Sequence, residues 1–161
     1  AIATVRNLQL GVKDENIKEG ITRIKSIARL QEIKSGKLKN ICKDNRLYLD
    51  GSHNPLGAKA LNEYLNTLDC KKHLILGMMS NKDHEEYLSK FNNISSITTI
   101  DIPNQPNAIK GKDLKEKLNK YPNVSYKKSI EEALDSINPG KDDLIMITGS
   151  LYLAGELLNL N

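Results

Sequence analysis

Aromatic residues and cysteines are scarce in this chain. Its 161 residues include no tryptophan, one phenylalanine and two cysteines. A core must therefore be built mainly from aliphatic side chains, for which the 39% of apolar residues is enough. Cys42 and Cys70 lie far apart without C-x-x-C spacing. This spacing argues against a zinc site or a disulfide framework and is typical of a reduced, cytoplasmic protein.

The chain also lacks long apolar runs and nucleotide-binding loops. No apolar run approaches about 20 residues, so no membrane-spanning segment is predicted. The chain lacks the nucleotide-binding patterns G-x-x-x-x-G-K-[ST] and G-x-G-x-x-G, so it is not expected to bind a triphosphate unaided. It also lacks G-x-S-x-G, the nucleophile turn of α/β-hydrolases. The net charge of +4 is spread over many lysines without interleaved aromatics, so nucleic-acid binding is not expected either.

From Arg29 onward, strand patterns alternate with helix patterns. The predicted strands are Leu30–Ile33, Leu38–Cys42, Arg46–Asp50, His73–Leu76, Ser96–Ile102, Val124–Tyr126 and Leu144–Thr148. Helices are predicted after Pro55, over Asp83–Lys90, around Leu114 and Leu118, over Ile130–Ile137 and over Leu151–Leu158. Because such alternation implies crossover connections, the predicted fold is a Rossmann-like three-layer α/β domain with a mostly parallel sheet of about six strands.

Residues 1–28 have a different pattern. Two short amphipathic helices are predicted there, the first with its stop near Gly11 and the second capped by Asp14. Two such helices cannot bury their apolar stripes on each other alone. We therefore expect residues 1–28 to be the terminal helices and linker of a preceding domain, residues 29–161 to form the α/β domain, and the chain to be a piece of a longer protein.

The segment Asp50–Pro55 follows a short apolar strand. Pro55 suits the first position of a helix and Asn54 is a good N-cap. Ligands of α/β proteins are held at the carboxyl ends of strands, beside helix N-termini, so Asp50, His53 and Asn54 are candidate site residues. The alternative is a structural turn, with Asp50 as a helix-mouth acid and His53 as a partly exposed turn residue.

A second candidate corner is Thr148-Gly149-Ser150, between the apolar strand Leu144–Thr148 and the last helix. Free N–H groups and the Ser150 hydroxyl there favour an anion-binding corner, while the structural alternative is that Ser150 only caps the helix. If the strands are parallel, both corners face the same rim of the sheet. His73 and His84 are expected at the surface and show no metal-ligand spacing.

Four segments together resemble a known family. Asp50–Pro55 resembles the DGAHNP segment of folylpolyglutamate synthases and dihydrofolate synthases, in the Mur ligase superfamily, and Thr148–Glu156 resembles their TGSLYLVGE ending. Arg29-Leu30-Gln31 resembles their GRLE or GRLQ segment, and Lys82-Asp83 matches a KD pair. The resemblance covers roughly residues 15–158 in order and spacing. The TGSLYL-x-GE ending separates these enzymes from the cell-wall ligases.

The resemblance implies a C-terminal domain of an ATP-dependent ligase. ATP would phosphorylate a carboxylate of dihydropteroate or a folate, and L-glutamate would attack the acyl phosphate. Arg29 and Asp50 would contact ATP, and His53 and Ser150 would place glutamate, with His53 also catalytic. The phosphate loop and the Mg2+ ligands would lie in an N-terminal ATPase domain outside this chain, so the chain alone is expected to be inactive. The intact enzyme is expected to be a monomer.

Two departures from the family pattern lie in these segments. Ala28 stands where a glycine is usual, and Ser52 stands where an alanine is usual; both residues are small, so neither removes a functional group. Two alternatives remain open. The chain could be a degenerate remnant without catalysis, or it could be the corresponding domain of a cell-wall amino-acid ligase.

Overall fold

The computed structural model describes residues 2–8, 11–24 and 26–161. Within these residues the helices are α1 (Ile2–Asn7), α2 (Asp14–Thr22), α3 (Lys37–Cys42), α4 (Pro55–Asn66), α5 (His84–Ser89), α6 (Gly111–Lys117), α7 (Ile130–Ser136) and α8 (Leu151–Leu160). The strands are β1 (Gln31–Glu32), β2 (Arg46–Leu49), β3 (Lys72–Leu76), β4 (Ser96–Ile100), β5 (Val124–Lys127) and β6 (Leu144–Thr148). None of the helices described is long and apolar enough to cross a membrane.

The six strands form one sheet in the order β1-β2-β6-β3-β4-β5. Only the short β1 is antiparallel to its neighbour, and all other pairs are parallel. This arrangement confirms the predicted α/β class with a mostly parallel sheet of about six strands. Leu49 of β2 pairs with Ile147 of β6, and Leu76 of β3 pairs with Thr148. The three central strands therefore end level with one another, and their following loops share one rim.

The strand β6 is apolar except at its last residue, Thr148, because it is covered on both sides. All five of its residues are buried. Ile145 and Ile147 pack into a cluster with α3, α7 and α8, while Leu144 and Met146 pack into a second cluster with α4, α5 and α6. Alternate residues of a strand point to opposite faces, so the two clusters are the two interfaces of a three-layer domain.

The predicted strand Leu38–Cys42 is wrong, because this segment lies in α3. Leu38, Ile41 and Cys42 are spaced as i, i+3 and i+4, which places them on one face of a helix, and Leu38 and Cys42 are buried there. Gly36 begins the helix with a φ of 101°. The Asn161 side chain accepts a hydrogen bond from the Leu38 N–H, at 3.1 Å. The other predicted elements are present, with ends that differ by one or a few residues.

The two N-terminal helices carry no buried residue in the part of the chain described. Asp14 is the first residue of α2 and not its cap, since Lys13 holds the N-cap position and Asp14 accepts a hydrogen bond from Arg6 at 2.9 Å. Ile21 and Ile24, from the predicted apolar stripe, are exposed. The assignment of residues 1–28 to a preceding domain stays a prediction.

Candidate functional site

The two candidate corners lie side by side at the carboxyl ends of β2 and β6. The Asp50 N–H donates to the Ile147 carbonyl at 2.9 Å, and the Gly149 N–H donates to the Ser52 carbonyl at 3.0 Å. These bonds continue the contact between the two strands past their last ladder pair. The expectation that both corners face one rim is therefore confirmed.

Asp50 is buried and fastens the turn to the chain segment before β1. Its Oδ1 accepts the Ser52 N–H at 2.8 Å, and its Oδ2 accepts the Leu30 N–H at 2.9 Å. The Gly51 N–H donates to the Ala28 carbonyl at 2.8 Å. Each carboxylate oxygen keeps a second acceptor position, so Asp50 can still contact a ligand. Its first task is to hold residues 28–30 in place.

Residues 28–30 have an uncommon backbone conformation. Ala28 and Leu30 have φ values of 54° and 45°, in the left-handed region that favours glycine. The bonds to Asp50 and Gly51 hold this conformation. Between the two residues, Arg29 is exposed and lines a cleft of about 270 Å³ together with Asp50, Ser52 and the first two turns of α4. The two predicted ATP contacts, Arg29 and Asp50, thus border the same cleft.

A larger cleft of about 490 Å³ lies elsewhere, between the end of α6 and the start of β5, and is lined by residues such as Lys112, Lys115 and Tyr121. None of the predicted site residues lines it. The smaller cleft is the better candidate because it carries a cation and a carboxylate at the ends of central strands, where α/β proteins hold their ligands.

His53 is half-buried in the turn, and one of its ring nitrogens is already bound. Nδ1 lies 3.0 Å from the Gly51 carbonyl oxygen. Because a carbonyl oxygen only accepts hydrogen bonds, Nδ1 carries the proton, and the neutral ring has its lone pair on Nε2. The next residue, Asn54, caps α4 by accepting the Gly57 N–H at 2.9 Å, as predicted. The turn therefore presents a proton acceptor beside a helix N-terminus.

Ser150 is buried and caps α8, since its Oγ accepts the Tyr152 N–H at 3.1 Å. The structural interpretation of Ser150 is thus confirmed. It does not exclude a ligand, because the hydroxyl proton is still free to be donated. Gly149 before it has a φ of 106°, and a Cβ there would lie 2.6 Å from the Gly77 carbonyl oxygen. Only glycine fits the bend that places Ser150.

Sequence reasoning missed a buried hydroxyl group beneath these corners. The Tyr87 hydroxyl lies 3.0 Å from Ser52 Oγ and 2.9 Å from Thr148 Oγ1. Tyr87 lies on the apolar face of α5, where nothing in the sequence distinguishes a core tyrosine from one that supports a site. Compared with the alanine that is usual in the family, Ser52 adds a hydroxyl group, and this hydroxyl contacts Tyr87 and Thr148.

The remaining candidates are accounted for by structural roles. The surface prediction for His84 is wrong: the side chain is buried, and its Nε2 lies 3.0 Å from the Met79 carbonyl oxygen, a polar partner that makes burial tolerable. The surface prediction for His73 is wrong as well: it is largely buried between Ser96 and Asp143, near the start of β3 and thus at the rim opposite the candidate site. Asp83 caps α5 by accepting the Glu86 N–H at 2.8 Å. In the ranges described, no three His, Cys, Asp or Glu residues are grouped to hold a metal.

Comparison with known proteins identifies the family of this chain. Residues 28–151 match the profile of the Mur ligase, glutamate ligase domain. The chain is 31% identical over 154 residues to the folylpolyglutamate synthase of Lacticaseibacillus casei, a match that covers 89% of the chain and 31% of that enzyme. The chain thus spans about a third of that relative's length.

Solved structures share the fold. A bifunctional folylpolyglutamate synthase/dihydrofolate synthase from Yersinia pestis CO92 has a TM-score of 0.81 at 20% identity, over 98% of this chain and 36% of that one. A structure of such a bifunctional synthase with Mn, AMPPNP and L-glutamate bound has a TM-score of 0.80 at 19% identity, over 98% of this chain and 37% of that one. On the sequence match and the shared fold together, this chain belongs to the Mur ligase family and carries its C-terminal, glutamate ligase domain.

Proposed function

We propose that this chain supplies the glutamate-ligating half of an ATP-dependent synthase that joins L-glutamate to dihydropteroate, to folates, or to both. One observation carries the proposal. The Asp50–Pro55 turn and the Thr148–Ser150 corner meet at one rim of the sheet, in a chain 31% identical to a folylpolyglutamate synthase. The proton acceptor His53 and the hydroxyl of Ser150 would act at this rim, and the cation Arg29 borders the cleft beside Asp50.

The nucleotide side of the site is the cleft beside Arg29. An exposed guanidinium matches phosphate oxygens in charge and geometry, and the anchoring of Leu30 by Asp50 fixes the backbone that carries it. When bound, Mg2+ would neutralise phosphate charge. Its ligands would lie in a preceding ATPase domain, as the family resemblance implies.

The glutamate side is the turn and the start of α8. A carboxylate of glutamate is favoured at a helix N-terminus, where the Ser150 hydroxyl can donate to it. The amino group must lose a proton to attack an acyl phosphate, and His53 Nε2 can take that proton. In the step, a C–N bond forms as the C–O bond to phosphate breaks. One proton of the glutamate ammonium passes to His53, and the second leaves the nitrogen with the departing phosphate, which is released as hydrogen phosphate.

The partner of this rim would be an N-terminal ATPase domain of the same protein. Leu56 at the start of α4 is 79% exposed, and Leu151 and Tyr152 at the start of α8 are 46% and 56% exposed. Exposed apolar side chains around a polar site are typical of a surface that closes against a partner. Closure would exclude water, which would otherwise hydrolyse the acyl phosphate.

The intact synthase is expected to release ADP only when ATP, glutamate and a pterin acceptor are all present. The assay measures ADP with dihydropteroate and, separately, with a reduced folate, each with and without glutamate. Turnover with either acceptor supports the proposal, and the pair of rates assigns the substrate. Absence of glutamate-dependent ADP release with both acceptors would contradict it and would favour a remnant that catalyses no reaction.

A further inference from the structure

Three hydroxyl groups form a closed ring below the candidate site. Ser52 Oγ and Tyr87 Oη lie 3.0 Å apart, Tyr87 Oη and Thr148 Oγ1 lie 2.9 Å apart, and Ser52 Oγ and Thr148 Oγ1 lie 3.1 Å apart. The three residues are buried, Tyr87 and Thr148 with 0% exposure and Ser52 with 5%. They come from three different parts of the fold: the turn after β2, the middle of α5 and the end of β6.

The ring satisfies its own hydrogen bonds. Each hydroxyl has one proton to donate and can accept, so each can donate to the next around the ring. Tyr87 Oη also lies 3.2 Å from the Ser52 carbonyl oxygen. Burial raises the pKa of Tyr87 to about 12, which keeps the phenol protonated and able to donate at neutral pH. A closed ring of buried hydrogen bonds favours one arrangement of its members over others.

Ser52 and Thr148, the two ring residues at the rim of the sheet, are close in sequence to candidate site residues. Ser52 directly precedes His53, and Thr148 lies two residues before Ser150. Past the last ladder bond, from Asp50 to Ile147, the connection between the two corners consists of the Gly149–Ser52 backbone bond and this ring. Together with that backbone bond, the ring therefore constrains the turn that carries His53 relative to the corner that carries Ser150.

Tyr87 reaches the rim from outside it. It lies on α5, and its aromatic ring packs against that of Phe91 at a centroid distance of 5.4 Å. We propose that Tyr87, through the hydroxyl ring with Ser52 and Thr148, is a positioning residue that holds His53 and Ser150 at the spacing needed to bind the incoming glutamate. This role rests on the proposed function of the two corners.

The test uses the intact synthase with Tyr87→Phe, which removes one hydroxyl group and keeps the packing of the aromatic side chain. The apparent KM for glutamate is expected to rise about 10-fold, as for the loss of one buried hydrogen bond between site elements. The KM for ATP is expected to stay within about twofold, because the Arg29 cleft is fastened by Asp50 and not by Tyr87. A KM change confined to glutamate separates positioning from general destabilisation.

Tyr126→Phe is the matched control. It removes a tyrosine hydroxyl that donates to Asp101 Oδ2 at 3.0 Å, on the edge strand β5, and is expected to leave both KM values unchanged. Thr148→Val is the second variant, for the case that Tyr87→Phe does not fold; it removes another hydroxyl of the ring, keeps the shape of the side chain and lies outside the lining of the Arg29 cleft. It is expected to raise the KM for glutamate alone, and the double variant with Tyr87→Phe is expected to be no worse than the worse single one, since both open the same ring.

The two proposals fail in different ways. An active synthase in which Tyr87→Phe and Thr148→Val leave the KM for glutamate unchanged, or raise both KM values together, would overturn the positioning role and leave the proposed function standing. A wild-type synthase without glutamate-dependent turnover would overturn the proposed function, and with it any role of Tyr87 in glutamate binding.

Discussion

His53→Ala is expected to lower the turnover number of the intact synthase by roughly 10²-fold or more, the usual range for losing a positioned general base. The imidazole is held by the bond between Nδ1 and the Gly51 carbonyl, which leaves Nε2 as the acceptor. In the proposed step this nitrogen takes a proton from the attacking amine. The loss should therefore remain at saturating glutamate and ATP, because it affects the chemical step and not only binding.

His53→Asn is the control that separates support of the turn from proton transfer. An asparagine amide can still donate to the Gly51 carbonyl, so the turn keeps its bond, but it has no group that can accept a proton at neutral pH. Both variants should be about equally slow while their urea midpoints stay near that of the wild type. Unchanged turnover in His53→Ala, with both substrates saturating, would contradict the proton-transfer role and leave His53 with a structural role in the turn.

Gly149→Ala is expected to lower the free energy of unfolding of the chain by about 2 to 4 kcal/mol, as steric overlap and an unfavourable φ combine. The backbone there has a φ of 106°, and the added Cβ would lie 2.6 Å from the Gly77 carbonyl oxygen and 2.7 Å from Leu76 Cδ1. The carbonyl is backbone at the end of β3, so it cannot move aside as a flexible side chain would.

Gly155→Ala provides the matched comparison. This glycine lies within α8, with no atom within 4 Å of an added Cβ. Alanine there should raise the free energy of unfolding by about 0.5 to 1 kcal/mol, the ordinary helix preference of alanine over glycine. Urea denaturation followed by circular dichroism measures both variants. Equal effects, or a Gly149→Ala variant as stable as the wild type, would contradict the described geometry of the corner.

The sequence alone was sufficient where burial and periodicity act together. Strand β6 was predicted with its observed ends, because four consecutive apolar residues and Thr148, bounded by Asp143 and Gly149, suit a strand covered on both faces. The segment Leu38–Cys42 was misjudged because its short apolar pattern fits either a strand or a helix. Tertiary contacts decide in favour of the helix: it packs against α7 in the core, and the Asn161 side chain, from the far end of the chain, accepts the Leu38 N–H.

The candidate site was predicted in its residues but not in its connections. Asp50, His53 and Ser150 stand at one rim, as expected from parallel strands. Both oxygens of Asp50 accept hydrogen bonds from backbone N–H groups, one of them 20 residues away in sequence. Local sequence patterns do not predict these bonds, because they depend on the tertiary fold. The departure at Ala28 also gains meaning only from the structure, since its φ of 54° is one that glycine adopts without strain.

We propose that this chain holds half of an active site shared between two domains. The test is glutamate-dependent ADP release, measured side by side for the 161-residue chain alone and for the chain joined to the ATPase domain proposed to precede it. We expect a folded chain with no such release alone, and turnover only in the joined protein. Glutamate-dependent ADP release from dihydropteroate or folate by the chain alone would contradict it.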